Sequence, residues 1–189
     1  LLLTIGERGD RPAAQDRSTH NGSIIRVNRD GSVPDDNPFV GQAEYLPEIY
    51  SLGHRNQLGL VFHPETGTLW ASENAPQGGD EVNMIQPGRN YGWPIASTSR
   101  EYSGLRVSDT PWLEEFERPE VLWWPSIAPS GMTFYSGDRI PEWRGNLFIG
   151  SLKFKLLVRL ELDGDQVVNE ERLLVGTFGR IRDVREGPD

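Results

Sequence analysis

The sequence predicts an all-β fold of short strands joined by tight turns. Three observations carry this. Of 189 residues, 21 are Gly and 14 are Pro, a density that interrupts long elements. No stretch sustains a 3.6-residue apolar period, so helix content is expected to be low. A unit also repeats. Gly59-Leu-Val-Phe, a turn, then Gly67-Thr-Leu-Trp-Ala-Ser returns as Gly131-Met-Thr-Phe, a turn, then Gly145-Asn-Leu-Phe-Ile-Gly. Leu1-Leu-Leu-Thr-Ile-Gly matches its second half. A repeated all-β unit with loops of variable length favours a β-propeller over the alternative, a β-sandwich. At roughly 40–50 residues per blade, the chain accounts for about three to four blades.

Taken in order, Leu1 to Ile5 reads as a strand and Gly6 to Ser18 as a charged loop without periodicity. Ser23 to Asn28 is a second strand, closed by the turn Arg29-Asp-Gly-Ser32. Pro34 to Phe39 is irregular, and Tyr45 to Leu52 holds one short strand. Leu58 to Phe62 is apolar between polar flanks. It turns at His63 to Gly67 and returns as Thr68 to Ser72. Glu73 to Glu81 is too rich in Gly, Pro and Asp to continue a sheet, and is predicted to be a loop at the sheet's end, where functional residues concentrate. Ile95 to Glu120 is a long polar connection. Val121 to Pro125, Gly131 to Tyr135, Gly145 to Ser151, Leu156 to Leu162 and Gln166 to Val175 read as strands, and Ile181 to Val184 opens a last one. Of the adjacent Trp123 and Trp124, one must face away from the core, because side chains alternate along a strand.

One domain over residues 1–189 fits this length. A net charge of -9 argues against a nucleic-acid partner. No apolar run is long enough for a membrane span. The absence of Cys excludes disulfides, thiolate metal sites and Cys nucleophiles. The chain begins inside a strand pattern and stops on a turn signal, so it reads as a piece of something larger.

Candidate chemistry lies at strand ends. Arg55 and Asn56 directly precede a strand, and Lys153 follows one. Arg180 and Arg182, at i and i+2, share a face of an extended chain. Four cations and an amide suit a flat ligand with several carboxylates, which Arg grips in a bidentate fork; scattered surface charge is the alternative. Glu73 to Glu81 offers carboxylates, amide oxygens and backbone carbonyls, the ligand types of Ca²⁺, although an ordinary acidic loop has the same composition. His20, His54 and His63 show no metal-ligand spacing, and His63 before Pro64 reads as a structural turn residue.

A resemblance then becomes specific. Gly53-His-Arg-Asn56, Gln77-Gly-Gly-Asp-Glu81, Asn90-Tyr-Gly-Trp-Pro94, Trp124-Pro-Ser-Ile-Ala-Pro-Ser130, Gly150-Ser-Leu-Lys153 and Arg180-Ile-Arg-Asp-Val184 resemble the soluble pyrroloquinoline-quinone sugar dehydrogenases of the glucose/sorbosone dehydrogenase family. Bacterial aldose-type members are nearest. Asn28-Arg-Asp-Gly-Ser-Val-Pro34 also fits, and the likeness runs through all of residues 1–189. It implies an incomplete six-bladed β-propeller and oxidation of aldose sugars at C1 by hydride transfer to the quinone, PQQ. Ca²⁺ would polarise the quinone, and an external acceptor would take the electrons. It further implies a periplasmic or secreted location. By the same resemblance Arg55 and Asn56 face the reactive quinone oxygen, while Ser126, Lys153, Arg180 and Arg182 contact the cofactor. The carbonyls of Ala75 and Pro76 bind Ca²⁺, and Trp124 lines the sugar pocket.

The sequence departs from the family pattern at several points, Ala75 in place of a common Gly among them. Its base is a His upstream of the first strand here, which none of His20, His54 and His63 matches, so the isolated chain is expected to be inactive. Glu7 stands where the family has an Asp that orients that His. Leu58 stands where it has a cofactor-contacting Gln. The second functional class is therefore a non-catalytic propeller that binds carbohydrate or protein; the joint presence of Arg55, Lys153, Arg180 and Arg182 favours the dehydrogenase.

Overall fold

The structure, a computed structural model, describes residues 1–187. Among the described residues eleven strands make up three sheets, with two 3-10 turns at Arg11–Gln15 and Pro141–Trp143. The first sheet joins β1 (Leu2–Ile5), β2 (Ser23–Arg26) and β3 (Ile49–Leu52) in chain order. The second joins β4 (Gln57–Phe62), β5 (Leu69–Glu73), β6 (Asp80–Ile85) and β7 (Val121–Trp123). The third joins β8 (Pro129–Phe134), β9 (Leu147–Ser151), β10 (Leu157–Asp163) and β11 (Gln166–Leu173). Sequential strands are spatial neighbours throughout, the up-and-down pattern of propeller blades. The predicted all-β propeller class holds.

The chain divides into two compact units. The first comprises residues 1–57 and 85–118, the second residues 58–84 and 119–189. Within the first, Phe39, Ile49 and Leu52 form a small core, extended by Tyr45 stacked on Phe39 at 3.9 Å. Within the second, Trp70, Val82 and Trp123 of one sheet pack against Met132, Phe134, Leu147, Ile149, Val158 and Leu160 of the next, with Ile127 and Leu156 between strands. The two sheets approach closely because Gly59 has no side chain. A Cβ there would come within 2.7 Å of Met132 and of the Ser72 hydroxyl. That hydroxyl accepts from the Gly59 N–H and donates to the Ser130 carbonyl at 2.8 Å, bridging the sheets.

Three sequence expectations need correction. The region expected to be one loop from Glu73 to Glu81 is only residues 74–79. Glu73 closes β5, and Asp80 opens β6 opposite Trp123. This strand escaped detection because an acid and an amide in it are buried: Asp80 and Asn83 are both below a tenth exposed, so no polar face alternates with an apolar one. The charged loop after β1 contains the turn Arg11–Gln15, started by Pro12 where its missing N–H costs nothing. The stretch Ile181 to Val184 is not a regular strand. It gives one backbone bond, Gly131 N–H to the Arg182 carbonyl at 3.0 Å, without a continuing ladder.

Candidate functional site

In the first unit, Glu7 and Arg55 meet where β1 ends and the chain leaves β3. Gly6 permits the approach, since a Cβ there would stand 2.9 Å from Asn56 Oδ1 and 3.3 Å from the Arg55 carbonyl. The Glu7 N–H donates to that carbonyl at 2.9 Å. The Glu7 carboxylate is buried, accepts from the Gly9 N–H and lies 3.9 Å from Arg55 Nε. The Arg55 guanidinium also stands 5.7 Å from the centre of the Trp93 ring, and Arg11 stands 5.6 Å from the same ring. Arg11 in turn holds Glu101 in a two-pronged pair, one arm at 2.6 Å, which keeps the Glu101 carboxyl below the usual carboxylate range. Trp93, Arg11 and Glu101 were not among the expected site residues. Trp93 lies inside a quoted motif, but an ion pair spanning 90 positions leaves no local signal.

The three histidines have structural surroundings. His54 is fully buried, bonded to the Ser51 hydroxyl at 2.9 Å and stacked on Tyr91 at 4.5 Å. His63 Nδ1 accepts from the Glu65 and Thr66 N–H groups at 3.2 Å, which holds the β4–β5 turn as expected. His20 Nε2 lies 3.4 Å from Glu48.

In the second unit the organising group is Asp80, whose side chain is inaccessible to solvent. It accepts from the Ala75 N–H at 2.8 Å and from the Ala128 N–H at 2.7 Å, and also takes the Ser126 hydroxyl proton. Ser126 therefore offers only lone pairs to any ligand. Trp124 is half exposed while Trp123 is buried, as strand alternation requires. The Trp124 indole covers Gly78, where any Cβ would collide with the ring. Pro76 is buried and Ala75 partly so.

The cationic residues hang from the same segment. Lys153 is exposed, and its N–H donates to the Ile127 carbonyl at 3.2 Å. Ser130 Oγ donates to the Ile181 carbonyl at 2.7 Å, and Gly131 N–H to that of Arg182. Ile181 turns toward Gly150, where a Cβ would lie 2.8 Å from it. Arg180 and Arg182 are both exposed. Leu58 is 45% exposed and, with Phe62, is one of two exposed large apolar side chains of β4.

Glu81, beside Asp80, has its carboxyl pushed up to about 8, first by burial and then by the charge of Glu73; a bond from Asn83 opposes the shift. Such a group contributes stability below its unfolded value of 4.5, and that stability is lost as pH rises toward 8. In chelator-containing buffer, Glu81→Gln is expected to flatten the fall in Tm across that window. An unchanged slope would mean that Glu81 does not titrate there.

The donor set of the 73–81 segment is all oxygen, the preference of a hard cation such as Ca²⁺. Among the described residues no three His, Cys, Asp or Glu side chains form a metal-binding cluster. A cation here would thus rely on backbone carbonyls, and the fixing of Ala75 by Asp80 fits that demand. Among the described residues no helix is long and apolar enough to cross a membrane.

Blade-type sheets whose strands follow one another in chain order define the class as a propeller fold. The chain matches the family Glucose / Sorbosone dehydrogenase over residues 1–189 and belongs to it. It is 46% identical to a glucose dehydrogenase of known crystal structure, with a TM-score of 0.96, covering 99% of this chain and 55% of that one. It is 41% identical to aldose sugar dehydrogenase YliI of Escherichia coli, over all of this chain and 52% of that protein. The PQQ-bound aldose sugar dehydrogenase of Streptomyces coelicolor is 31% identical, with a TM-score of 0.75, covering 96% of this chain and 48% of that one. The chain thus spans about half the length of the curated relatives it matches.

Proposed function

We propose that residues 1–189 supply cofactor- and sugar-binding elements of a dehydrogenase that oxidises aldose sugars at C1. The bound groups would be pyrroloquinoline quinone, which would supply the hydride acceptor, and Ca²⁺, which would polarise it; an external acceptor would remove the electrons. The observation that carries this reading is the anchoring of Lys153, Ile181 and Arg182 to one segment, residues 127–131, with Arg180 one residue before the Ile181 anchor. Exposed cations fixed by backbone rather than by side-chain ion pairs are poised for a ligand with several carboxylates. Ala75 and Pro76 would offer carbonyls to Ca²⁺, and Trp124 a flat apolar surface to the sugar or the quinone ring. Ser126 serves this site by fixing the loop through Asp80, with its lone pairs turned to the cofactor. Asn56 would add an amide beside the reactive oxygen. Arg55, aligned by Glu7 and Trp93, would place its charge where negative charge grows on that oxygen during hydride transfer. The proton of the sugar hydroxyl needs a base; His54 and His63 are committed to Ser51 and to the β4–β5 turn. Residues 1–189 alone are therefore proposed to lack turnover. A periplasmic or secreted location accords with this chemistry in the family.

The test is aldose-dependent dye reduction by the natural full-length protein, reconstituted with the quinone and Ca²⁺. Failure to bind the quinone would favour a non-catalytic propeller that binds carbohydrate or protein. In the active protein, Arg182→Ala is expected to raise the quinone dissociation constant about 10- to 100-fold by removing a charge-assisted bond. An unaltered constant would remove Arg182 from the cradle.

A further inference from the structure

We infer that Asp80 is a positioning residue for the divalent cation, coupling the Ala75–Pro76 loop to the Trp124–Ala128 wall; the inference rests on the functional reading above. One buried carboxylate takes three donors from two segments that lie far apart in the chain. Oδ1 accepts from the Ala75 N–H at 2.8 Å and from the Ser126 hydroxyl, and Oδ2 accepts from the Ala128 N–H at 2.7 Å. The Ala75 bond fixes the residue whose carbonyl is the proposed ligand. The other two fix the segment that carries Trp124 on one side and leads to the Lys153 anchor on the other. Two more contacts close the clamp. The Gly79 N–H donates to the Trp123 carbonyl at 2.9 Å, and the Trp124 indole seals Gly78. The loop thus has no independent freedom: moving the Ala75 carbonyl means moving the wall.

Asn at this position cannot reproduce the clamp. A carboxylate accepts at both oxygens, whereas an amide accepts at one and donates at the other. If its NH₂ takes the Oδ2 place it faces the Ala128 N–H. If it takes the Oδ1 place it faces the Ala75 N–H and loses the bond that fixes the ligand residue. Either arrangement opposes donor to donor in a dry site. Residues that orient a metal's ligands without touching the metal typically account for about 10- to 100-fold in metal affinity.

The experiment is calorimetric titration of Ca²⁺ into the natural full-length protein without the quinone, comparing wild type, Asp80→Asn and Ser126→Ala. Asp80→Asn is expected to raise the Ca²⁺ dissociation constant about 10- to 100-fold. Quinone binding, followed by its absorbance, should recover toward wild type when Ca²⁺ is raised to saturation, as a purely local loss of fold would not. Ser126→Ala, which removes one donor of three, is expected to give a smaller rise in the same direction. A wild-type Ca²⁺ constant in Asp80→Asn overturns the inference while leaving the dehydrogenase reading intact. Where Asp80→Asn does not fold, an unchanged constant in Ser126→Ala overturns it. A wild-type protein that binds neither Ca²⁺ nor quinone overturns both.

Discussion

Arg55→Ala in the natural full-length protein is expected to lower kcat for aldose oxidation about 100- to 1000-fold. The quinone dissociation constant should change by less than about tenfold. The asymmetry follows from where the charge lies. Lys153, Arg180 and Arg182 would meet carboxylates that are negative whether or not reaction occurs, so their loss is a loss of affinity. Arg55 would meet an oxygen that becomes negative only as hydride arrives, so its contribution belongs to the barrier. Its surroundings suit that task. The guanidinium is 19% exposed by side chain, aligned by the Glu7 carboxylate 3.9 Å away and braced against the Trp93 ring. A preorganised charge needs no reorganisation at the moment of transfer. Arg55→Lys should recover only part of the loss, because a point charge cannot keep the fork geometry that Glu7 orients. Equal losses in kcat and quinone affinity for Arg55→Ala would show instead that Arg55 belongs with the static cradle.

The elements most legible in the sequence were short apolar runs bounded by turn residues. The hairpin β4–β5, with His63 to Gly67 as its turn, and the run from β8 to β11 emerged from such runs and turns, with alternation visible in β10. β6 did not, because Asp80, Glu81 and Asn83 occupy positions where the pattern rule expects apolar residues. Asp80 is tolerated because three donors satisfy it, and Glu81 because it accepts from Asn83 and its carboxyl is pushed toward neutrality. The sequence made this region unreadable as a strand for the same reason that it is interesting as a site. Its motif Gln77-Gly-Gly-Asp-Glu81 marked the place but not the role. Arg55 and Asn56 drew attention by their position before a strand, yet the packing of Arg55 between Glu7 and Trp93 required contacts across the chain that no local window contains. The two-residue spacing of Arg180 and Arg182 was read as placing them on one face of an extended chain. The anchoring of the Ile181 and Arg182 carbonyls to Ser130 and Gly131 was not legible, since the segment that carries them forms no ladder.

Trp70→Ala is expected to destabilise the second unit by about 3–5 kcal/mol, the usual cost of emptying a large aromatic site in a core. Trp70 is fully buried, sits edge-on to Phe134 at 6.1 Å and fills the space where two sheets meet. Neighbours cannot collapse into the void, because Gly59 already brings the sheets to their limit and the Ser72–Ser130 bridge fixes their spacing. A domain with total stability of about 5–15 kcal/mol would lose much of its margin. Trp70→Phe should cost far less. The Trp70 indole N–H is buried without a hydrogen-bond partner, so the folded state already bears a desolvation penalty of about 1–3 kcal/mol that Phe removes. That relief offsets part of the lost volume. Urea denaturation of the wild type and both variants separates the terms: Trp70→Ala should shift the midpoint strongly at unchanged m-value, and Trp70→Phe only slightly. A Trp70→Phe loss as large as that of Trp70→Ala would mean that the indole nitrogen is satisfied in solution and that its contact, not its volume, holds the two sheets together.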